Sequence, residues 1–184
     1  MIRLEQPSIA VNDLRWTDST GKSSVRFHMW RTWDLPKAPA SRGRIVSYVA
    51  ALARQAPDGT PLRNLVISCH GTPGYLWLGE GFSENDAALF CGWDGLFEVI
   101  WLKGCRVSRD VGRRFCANMA VATGARVVAS TEIQTTVAVT YPYGLIDEFE
   151  GLVNIFEPEH GRIDVSVRAP SAWQGSNGIW HQNE

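Results

Sequence analysis

The feature that most constrains the fold is a set of three short, nearly all-apolar runs, each followed at once by polar residues. The runs lie at 65–69 (LVISC), 97–102 (FEVIWL) and 126–129 (RVVA). Runs this short and this apolar are typical of strands that helices bury on both faces, as in a parallel sheet. They therefore predict a largely parallel sheet with helices packed against it.

Segments with helical spacing of apolar residues separate these runs and predict the covering helices. The predicted helices cover 44–55, 83–90 and 111–122, and the other predicted strands cover 25–33, 75–78, 135–141, 152–156 and 163–167. Ser83 and Asp86 have the spacing of a capping box, Asp110 is the expected N-cap of the third helix, and Gly124 its expected end. The alternation of strands and helices predicts an α/β three-layer sandwich with a mainly parallel central sheet flanked by helices.

Length and composition indicate one ordinary globular domain. The chain has 184 residues, a 45% hydrophobic fraction, a 20% charged fraction and a net charge of −1. We expect a single domain over 1–184, with its core at about 25–168 and a polar, Trp-containing tail at 169–184. The chain has no excess of basic residues that would indicate a nucleic-acid partner. It also has no run that approaches the roughly 20 apolar residues of a membrane span. With no secretory signal at the N-terminus, the expected location is cytoplasmic.

The four cysteines are expected to be free thiols. Cys69, Cys91, Cys105 and Cys116 show no C-x-x-C spacing, and their number is low for a disulfide scaffold. Cys69, Cys91 and Cys116 are predicted to be core residues. A zinc site from three cysteines and His70 is disfavoured because adjacent Cys69 and His70 would point to opposite faces of a strand. We expect no metal and no cofactor.

His70 and Cys105 are the residues with the clearest potential for chemistry. Each follows an apolar run, each has a glycine beside it (Gly71 and Gly104), and 35 positions separate them. That separation fits one strand-helix-strand crossover, which would bring both residues to the carboxyl edge of the sheet, where ligands bind. A histidine beside a thiol can take its proton and so activate a nucleophile, and backbone N–H groups can stabilise the oxyanion that follows. In the non-catalytic alternative, Cys105 is a packed thiol and His70 is a turn residue.

An apolar strand ending in His-Gly, followed by one ending in Gly-Cys, resembles the signature of the caspase-like cysteine peptidases. This chain shows it as LVISCHG and VIWLKGC, and the stretch over 62–132 is most similar to bacterial domains of that fold. The resemblance implies a caspase-like fold and cysteine endopeptidase activity through a thioester, with Cys105 as nucleophile and His70 as general base. It also implies an oxyanion hole made by the N–H groups of Gly71 and Cys105.

The resemblance gives a looser indication of where substrate specificity would reside. In this fold the specificity pocket draws on the loops after the first strand and after the strand that follows the cysteine helix. The residues at those positions here are Arg31, Asp34, Ser130, Thr131 and Glu132. Acidic side chains at Glu132, Asp147, Glu148 or Glu150 would favour cleavage after a basic residue, whereas Arg31 would favour an acidic one; we lean to the basic alternative.

Two other functions are compatible with the same residues. The chain could be a binding or scaffold module that kept the fold and lost turnover, or an amidase or acyl transferase that uses the same pair. The expected partner is a protein or peptide substrate, with a homodimer or a regulatory partner as a further possibility.

Overall fold

The structure, a computed structural model, describes residues 1–15, 25–59, 61–134 and 139–159 together with the backbone of 163–168. The central sheet contains β2 (Ser8–Asn12), β3 (Arg31–Asp34), β4 (Leu62–Ser68), β8 (Phe97–Lys103), β9 (Arg126–Ser130), β11 (Leu152–Phe156) and β12 (Ile163–Arg168). The shorter strands are β1 (Ile2–Arg3), β5 (Gly71–Thr72), β6 (Tyr75–Leu76), β7 (Phe82–Ser83) and β10 (Leu145–Ile146). The helices are α1 (Arg42–Ala53), α2 (Gly112–Thr123) and two 3-10 helices, Pro57–Gly59 and Glu84–Trp93.

The protein is an α/β fold with a mixed central sheet. The strand order is β12-β11-β9-β8-β4-β2-β3. The five strands from β9 to β3 are mutually parallel, while β11 runs antiparallel to both β9 and β12. The prediction of an α/β domain with a mainly parallel sheet is therefore confirmed at this level.

Helices α1 and α2 and the 3-10 helix Glu84–Trp93 pack on one face of the sheet, although the apolar runs predicted helices on both. Helical side chains such as Ile45, Phe90 and Phe115 share one core cluster, whereas the opposite face is covered by side chains from irregular segments, among them Phe27 and Phe149. Right-handed crossovers explain this arrangement, because the connections from β3 to β4, β8 and β9 all step in the same direction across the sheet.

The strand β2 was not predicted from the sequence, yet it lies inside the sheet between β3 and β4. All five of its residues are buried, and they pair in parallel with both neighbours. The strand was missed because polar residues, Ser8 and Asn12, stand at its two ends and interrupt the apolar pattern of a buried strand. The side chain of Asn12 donates to the carbonyl of Phe27 at 3.0 Å and accepts from its N–H at 3.0 Å, which satisfies the buried amide.

Several predicted boundaries shift. The strand expected over 25–33 is confined to β3, and Arg26 forms only an isolated bridge to Thr140. Asp110 is not the N-cap of α2: it adopts a left-handed conformation (φ 48°), and the helix starts at Gly112. Gly124 ends the helix with φ 62°, as predicted.

The other predicted elements match closely or fall partly outside the described chain. Helix 44–55 corresponds to α1, and the helix expected over 83–90 is the 3-10 helix Glu84–Trp93. Asp86 accepts the N–H of Ser83 at 2.9 Å, in agreement with the predicted capping box. Residues 135–138 and the tail 169–184 lie outside the described residues. Among the helices that the structure describes, none combines the length and the apolar character that crossing a bilayer requires.

Candidate active site

The strands that precede His70 and Cys105 are neighbours in the sheet. β4 and β8 pair in parallel, with Ser68 opposite Lys103 at their carboxyl ends. His70 and Cys105 each follow that last pair by two residues, so the chain brings both to the same edge of the sheet. Both residues line one cleft.

The cleft is narrow and has walls of different character. It is lined by Val25, Phe27, Ser68, Cys69, His70, Lys103, Gly104, Cys105, Gln134 and Asp147. Its free volume is about 20 Å³, which is room for a single water molecule. Apolar groups from the segment before β3 form one wall, and the ion pair of Lys103 with Asp147 contributes a polar wall.

The loops that carry His70 and Cys105 interlock through their main chains. A Cβ atom added at Gly71 would lie 2.8 Å from the carbonyl oxygen of Cys105 and 2.6 Å from Cγ2 of Val107. A Cβ added at Gly104 would lie 3.1 Å from the carbonyl oxygen of Cys69. Glycine at these positions lets the two loops approach each other, which fixes the spacing between the histidine and cysteine backbones.

The N–H group of Gly71 is directed away from its own hairpin. β5 and β6 pair antiparallel with Gly71 opposite Leu76, and the N–H of Trp77 donates to the carbonyl of His70 at 2.9 Å. This single hydrogen bond continues the register by one pair beyond Gly71 and Leu76, which places Gly71 at the alternate position with its N–H pointing away from β6. This geometry is compatible with the predicted role of Gly71 in an oxyanion hole.

The sulfur of Cys105 contacts the main chain of Gln134. The N–H of Gln134 donates to Sγ at 3.4 Å, and the thiol lies within donor distance of the Gln134 carbonyl at 3.6 Å. The N–H can donate to a thiolate that a base generates, and the carbonyl can accept from the neutral thiol, so the Gln134 main chain can contact either form of the sulfur. Gln134 was not predicted as a site residue, because no motif in the local sequence marks it.

The buried side chain of Gln134 holds this contact in place. It is 6% exposed, and its amide nitrogen donates to Ser130 Oγ at 2.8 Å and to the Glu150 carbonyl at 3.1 Å. Its amide oxygen accepts the N–H of Glu150 at 3.0 Å. The buried amide thereby ties the segment after β9 to the segment before β11 and holds the Gln134 main chain against the sulfur.

The chain matches no known protein family, and no curated protein and no solved structure is similar to it.

Lys103 is a buried cation at the wall of the cleft. Its side chain is 3% exposed, and Nζ lies 2.8 Å from the Asp147 carboxylate and 3.8 Å from the centre of the Phe149 ring. Nζ also donates to the carbonyls of Asp147 and Glu148 at 3.3 Å. Burial lowers the pKa of Lys103 below its ordinary value, while the nearby Asp147 carboxylate opposes that change.

Arg106, directly after the candidate nucleophile, adopts a left-handed conformation with φ 56°. Its N–H donates to the Glu132 carbonyl at 2.9 Å. A residue with a Cβ atom is strained in this region, and such strain is frequent where a chain must present a functional group. This turn follows β8, which ends at Lys103, two residues before Cys105.

The five residues predicted to bind substrate all lie outside the lining of the described cleft. Arg31 stacks its guanidinium 4.6 Å above the Trp30 ring, and Asp34 forms an ion pair with Arg26 at 2.7 Å. Asp34 also accepts from the Asn12 side chain at 2.9 Å.

The three predicted substrate-binding residues that follow β9 serve the loop itself. The buried hydroxyl of Ser130 binds the Gln134 side chain, and the Thr131 hydroxyl donates to the Leu152 carbonyl at 3.1 Å. Glu132 contributes its carbonyl to the contact with Arg106. They support the Gln134 contact with the sulfur rather than the cleft surface.

The remaining cysteines differ sharply in accessibility. All four cysteines are free. Cys69 and Cys116 are buried, as predicted, and burial raises the pKa of both thiols, which keeps them protonated. The prediction that Cys91 is a core residue is wrong: it is exposed on the 3-10 helix Glu84–Trp93. Within the described part of the chain, no three metal-ligating side chains converge on one point.

Proposed function

We propose that the protein is a cysteine hydrolase that cleaves peptide bonds, with Cys105 as nucleophile and His70 as general base. One observation carries the proposal: His70 and Cys105 leave the carboxyl ends of paired parallel strands and line the same cleft. This pair supplies the two groups that covalent acyl transfer needs, a nucleophile and a proton carrier.

The reaction follows from these groups. His70 takes the Cys105 proton, the sulfur attacks the peptide carbonyl, and the tetrahedral oxyanion is stabilised by the N–H groups of Gly71 and Cys105. The C–N bond then breaks, and His70 gives its proton to the departing amine, leaving a thioester. Water, deprotonated by His70, attacks the thioester and releases the carboxylic acid, and the proton returns to the sulfur. One water is consumed for each bond cleaved.

The Gln134 contact supports this assignment. Its N–H donates to the sulfur of Cys105, and the hydrogen bonds of the buried Gln134 side chain keep it there. A donor at this position can hydrogen-bond the thiolate that forms when His70 takes the proton. Cys116, by contrast, is fully buried, and burial raises the pKa of its thiol.

The caspase-like fold is part of the proposal. It is supported by the mainly parallel sheet and by the adjacency of the strand ending in His-Gly to the strand ending in Gly-Cys. Both features agree with what the resemblance over 62–132 implies. Two of the acidic side chains expected to favour a basic substrate residue are already paired. Asp147 forms an ion pair with Lys103, and the Glu148 carboxylate lies 2.6 Å from the Met1 ammonium, so both have little negative charge left to attract a substrate.

The proposal is tested by incubating the purified chain with a proteome-derived peptide library and identifying new termini by mass spectrometry. The wild-type chain should generate cleavage products, and Cys105→Ala and His70→Ala should each generate none above background. Cys91→Ser is the matched control, because it removes the exposed thiol and should leave cleavage intact. Products that persist in Cys105→Ala, or a wild-type chain that cleaves neither peptides nor small amides, would reject the proposal in favour of a binding module.

A further inference from the structure

The hairpin that follows His70 presents aromatic side chains beside the candidate general base. β5 and β6 pair with Gly71 opposite Leu76, and the hydrogen bond from the Trp77 N–H to the His70 carbonyl continues that register. His70 and Trp77 are therefore directly opposite one another. Side chains at opposed positions of an antiparallel pair lie on the same face, with Cβ atoms about 4.5–5.5 Å apart.

Burial along the hairpin agrees with this assignment of faces. Leu76, which shares the other face with Gly71, is fully buried, whereas Trp77 is 40% exposed. Tyr75 is two residues from Trp77 and lies on the same face, with ring centres 5.0 Å apart and an edge-to-face orientation. The hairpin thus separates a core face from an accessible aromatic face that includes the position of His70.

The Tyr75 ring is held in place by its surroundings. Its hydroxyl donates to the Glu80 carbonyl at 3.3 Å, and a Cβ atom at Gly81 would lie 2.7 Å from its Cε1. Gly81 has φ 88°, a conformation that glycine adopts without strain. The Tyr75 side chain is therefore braced against Trp77, so that ordering the pair costs little when a ligand binds.

We infer that Trp77, braced by Tyr75, binds the substrate residue that directly follows the scissile bond and selects an aromatic or large aliphatic side chain there. This inference rests on the proposed function. In that reaction His70 gives its proton to the leaving amine, so a side chain next to His70 faces the leaving half of the substrate, while the acyl half stays on Cys105. An exposed indole offers a large apolar contact area for such a side chain.

The test uses the strongest cleavage site found in the peptide library, synthesised with Phe, Leu, Ala or Gly after the scissile bond. We expect wild-type kcat/KM to be highest for Phe and Leu. In Trp77→Ala the ratio of kcat/KM for the Phe peptide over the Gly peptide should fall about fivefold to tenfold, the size expected for loss of one aromatic contact. Trp77→Phe should keep the ratio within about threefold of wild type, since a ring remains.

Two further variants separate recognition from folding. Trp77→Glu should shift the preference from Phe towards Arg, an outcome that simple loss of structure cannot produce. Val121→Ala is the matched control: it removes an apolar side chain that is 57% exposed in the last turn of α2, and should leave all four rates unchanged. An unchanged Phe-to-Gly ratio in Trp77→Ala, with Cys105-dependent cleavage intact, would overturn the inference alone. Absence of Cys105-dependent cleavage in the wild type would overturn the proposed function and the inference together.

Discussion

The main chain of Gln134 contacts the sulfur of Cys105 through both its N–H, at 3.4 Å, and its carbonyl, at 3.6 Å. The two residues are 29 positions apart, and the contact is maintained by a buried side-chain amide that bridges to the Glu150 backbone. The thiol is thus supported by a loop whose position depends on Gln134.

Replacing Gln134 should lower the reactivity of the Cys105 thiol and destabilise the loop that contacts it. Gln134→Ala removes the side-chain hydrogen bonds to the Ser130 hydroxyl and to the Glu150 backbone, so we expect a loss of about 1–3 kcal/mol in the free energy of unfolding. The rate of Cys105 alkylation by iodoacetamide at pH 7 should fall about tenfold, because the N–H no longer holds its place at the sulfur. Urea denaturation and mass-spectrometric rate measurements check both effects; an unchanged alkylation rate would contradict the role assigned to Gln134.

Two of the four thiols should react in the native protein, and the other two should not. Cys91 is exposed and Cys105 is half-buried at the cleft, whereas burial raises the pKa of Cys69 and Cys116 and blocks access. Native protein treated with a small disulfide reagent at pH 8 should therefore report two thiols, and denatured protein four. Cys91→Ser should lower the native count to one, and Cys105→Ala/Cys91→Ser to zero. Labelling of Cys116 in the native state would contradict the burial described for α2.

The two partners of the Lys103–Asp147 ion pair should differ in what their removal costs. Asp147→Ala leaves the almost fully buried ammonium without its carboxylate, so we expect about 3 kcal/mol of destabilisation. Lys103→Met leaves a carboxylate that is 23% exposed and can be hydrated, so the expected cost stays below about 1.5 kcal/mol. Denaturation of the two single variants and the double variant measures both values. Equal costs would show that Lys103 reaches water despite its position.

Stability at alkaline pH should carry the signature of the same lysine. Burial lowers the pKa of Lys103 below its ordinary 10.5, so between its folded value and 10.5 the unfolded chain holds a proton that the folded protein has lost. The free energy of unfolding contributed by this group therefore rises with pH across that interval and is level below it. The difference between wild type and Lys103→Met, measured by urea denaturation from pH 7 to pH 10.5, isolates the effect. A difference that falls with pH would contradict the lowered pKa.

Two glycine substitutions should have opposite effects. In Gly71→Ala the new Cβ meets the Cys105 carbonyl at 2.8 Å, so the interlocked loops must separate; we expect about 1–3 kcal/mol of destabilisation and loss of peptide cleavage. Gly43 lies in α1, and a Cβ there meets nothing within 4 Å. Gly43→Ala should therefore stabilise the protein by up to about 1 kcal/mol, because alanine favours the helix, and should leave cleavage unchanged. Thermal unfolding together with the peptide assay distinguishes the two.

Local patterns were sufficient for the elements that border the site. β4 and β8 were predicted because their apolar runs end abruptly at polar residues, and α1 because its apolar residues recur at helical spacing. Adjacency of the two strands then followed from the length of one crossover. These features depend on neighbouring residues in the chain, which a single sequence displays.

Features that depend on distant contacts were not visible. β2 is buried although it begins and ends in polar residues, because Asn12 finds its partners in Phe27. Gln134 is one polar residue among many until the fold places it between Cys105 and Glu150. The one-sided arrangement of the helices depends on the order of the strands, which apolar runs alone do not encode.

The close approach of Gly71 to Cys105 has a consequence for access to the site. Because the two loops are in contact through their main chains, a displacement of one loop also displaces the other. Cys105 and His70 therefore move as one rigid unit. Widening the one-water cleft for a substrate then has to involve the other lining segments, which carry Val25, Asp147 and Gln134 and lie outside β4 and β8. Entry of a peptide is thereby linked to the segments around the two loops, including the Gln134 main chain that contacts the sulfur, and not to a change in the spacing of the pair itself.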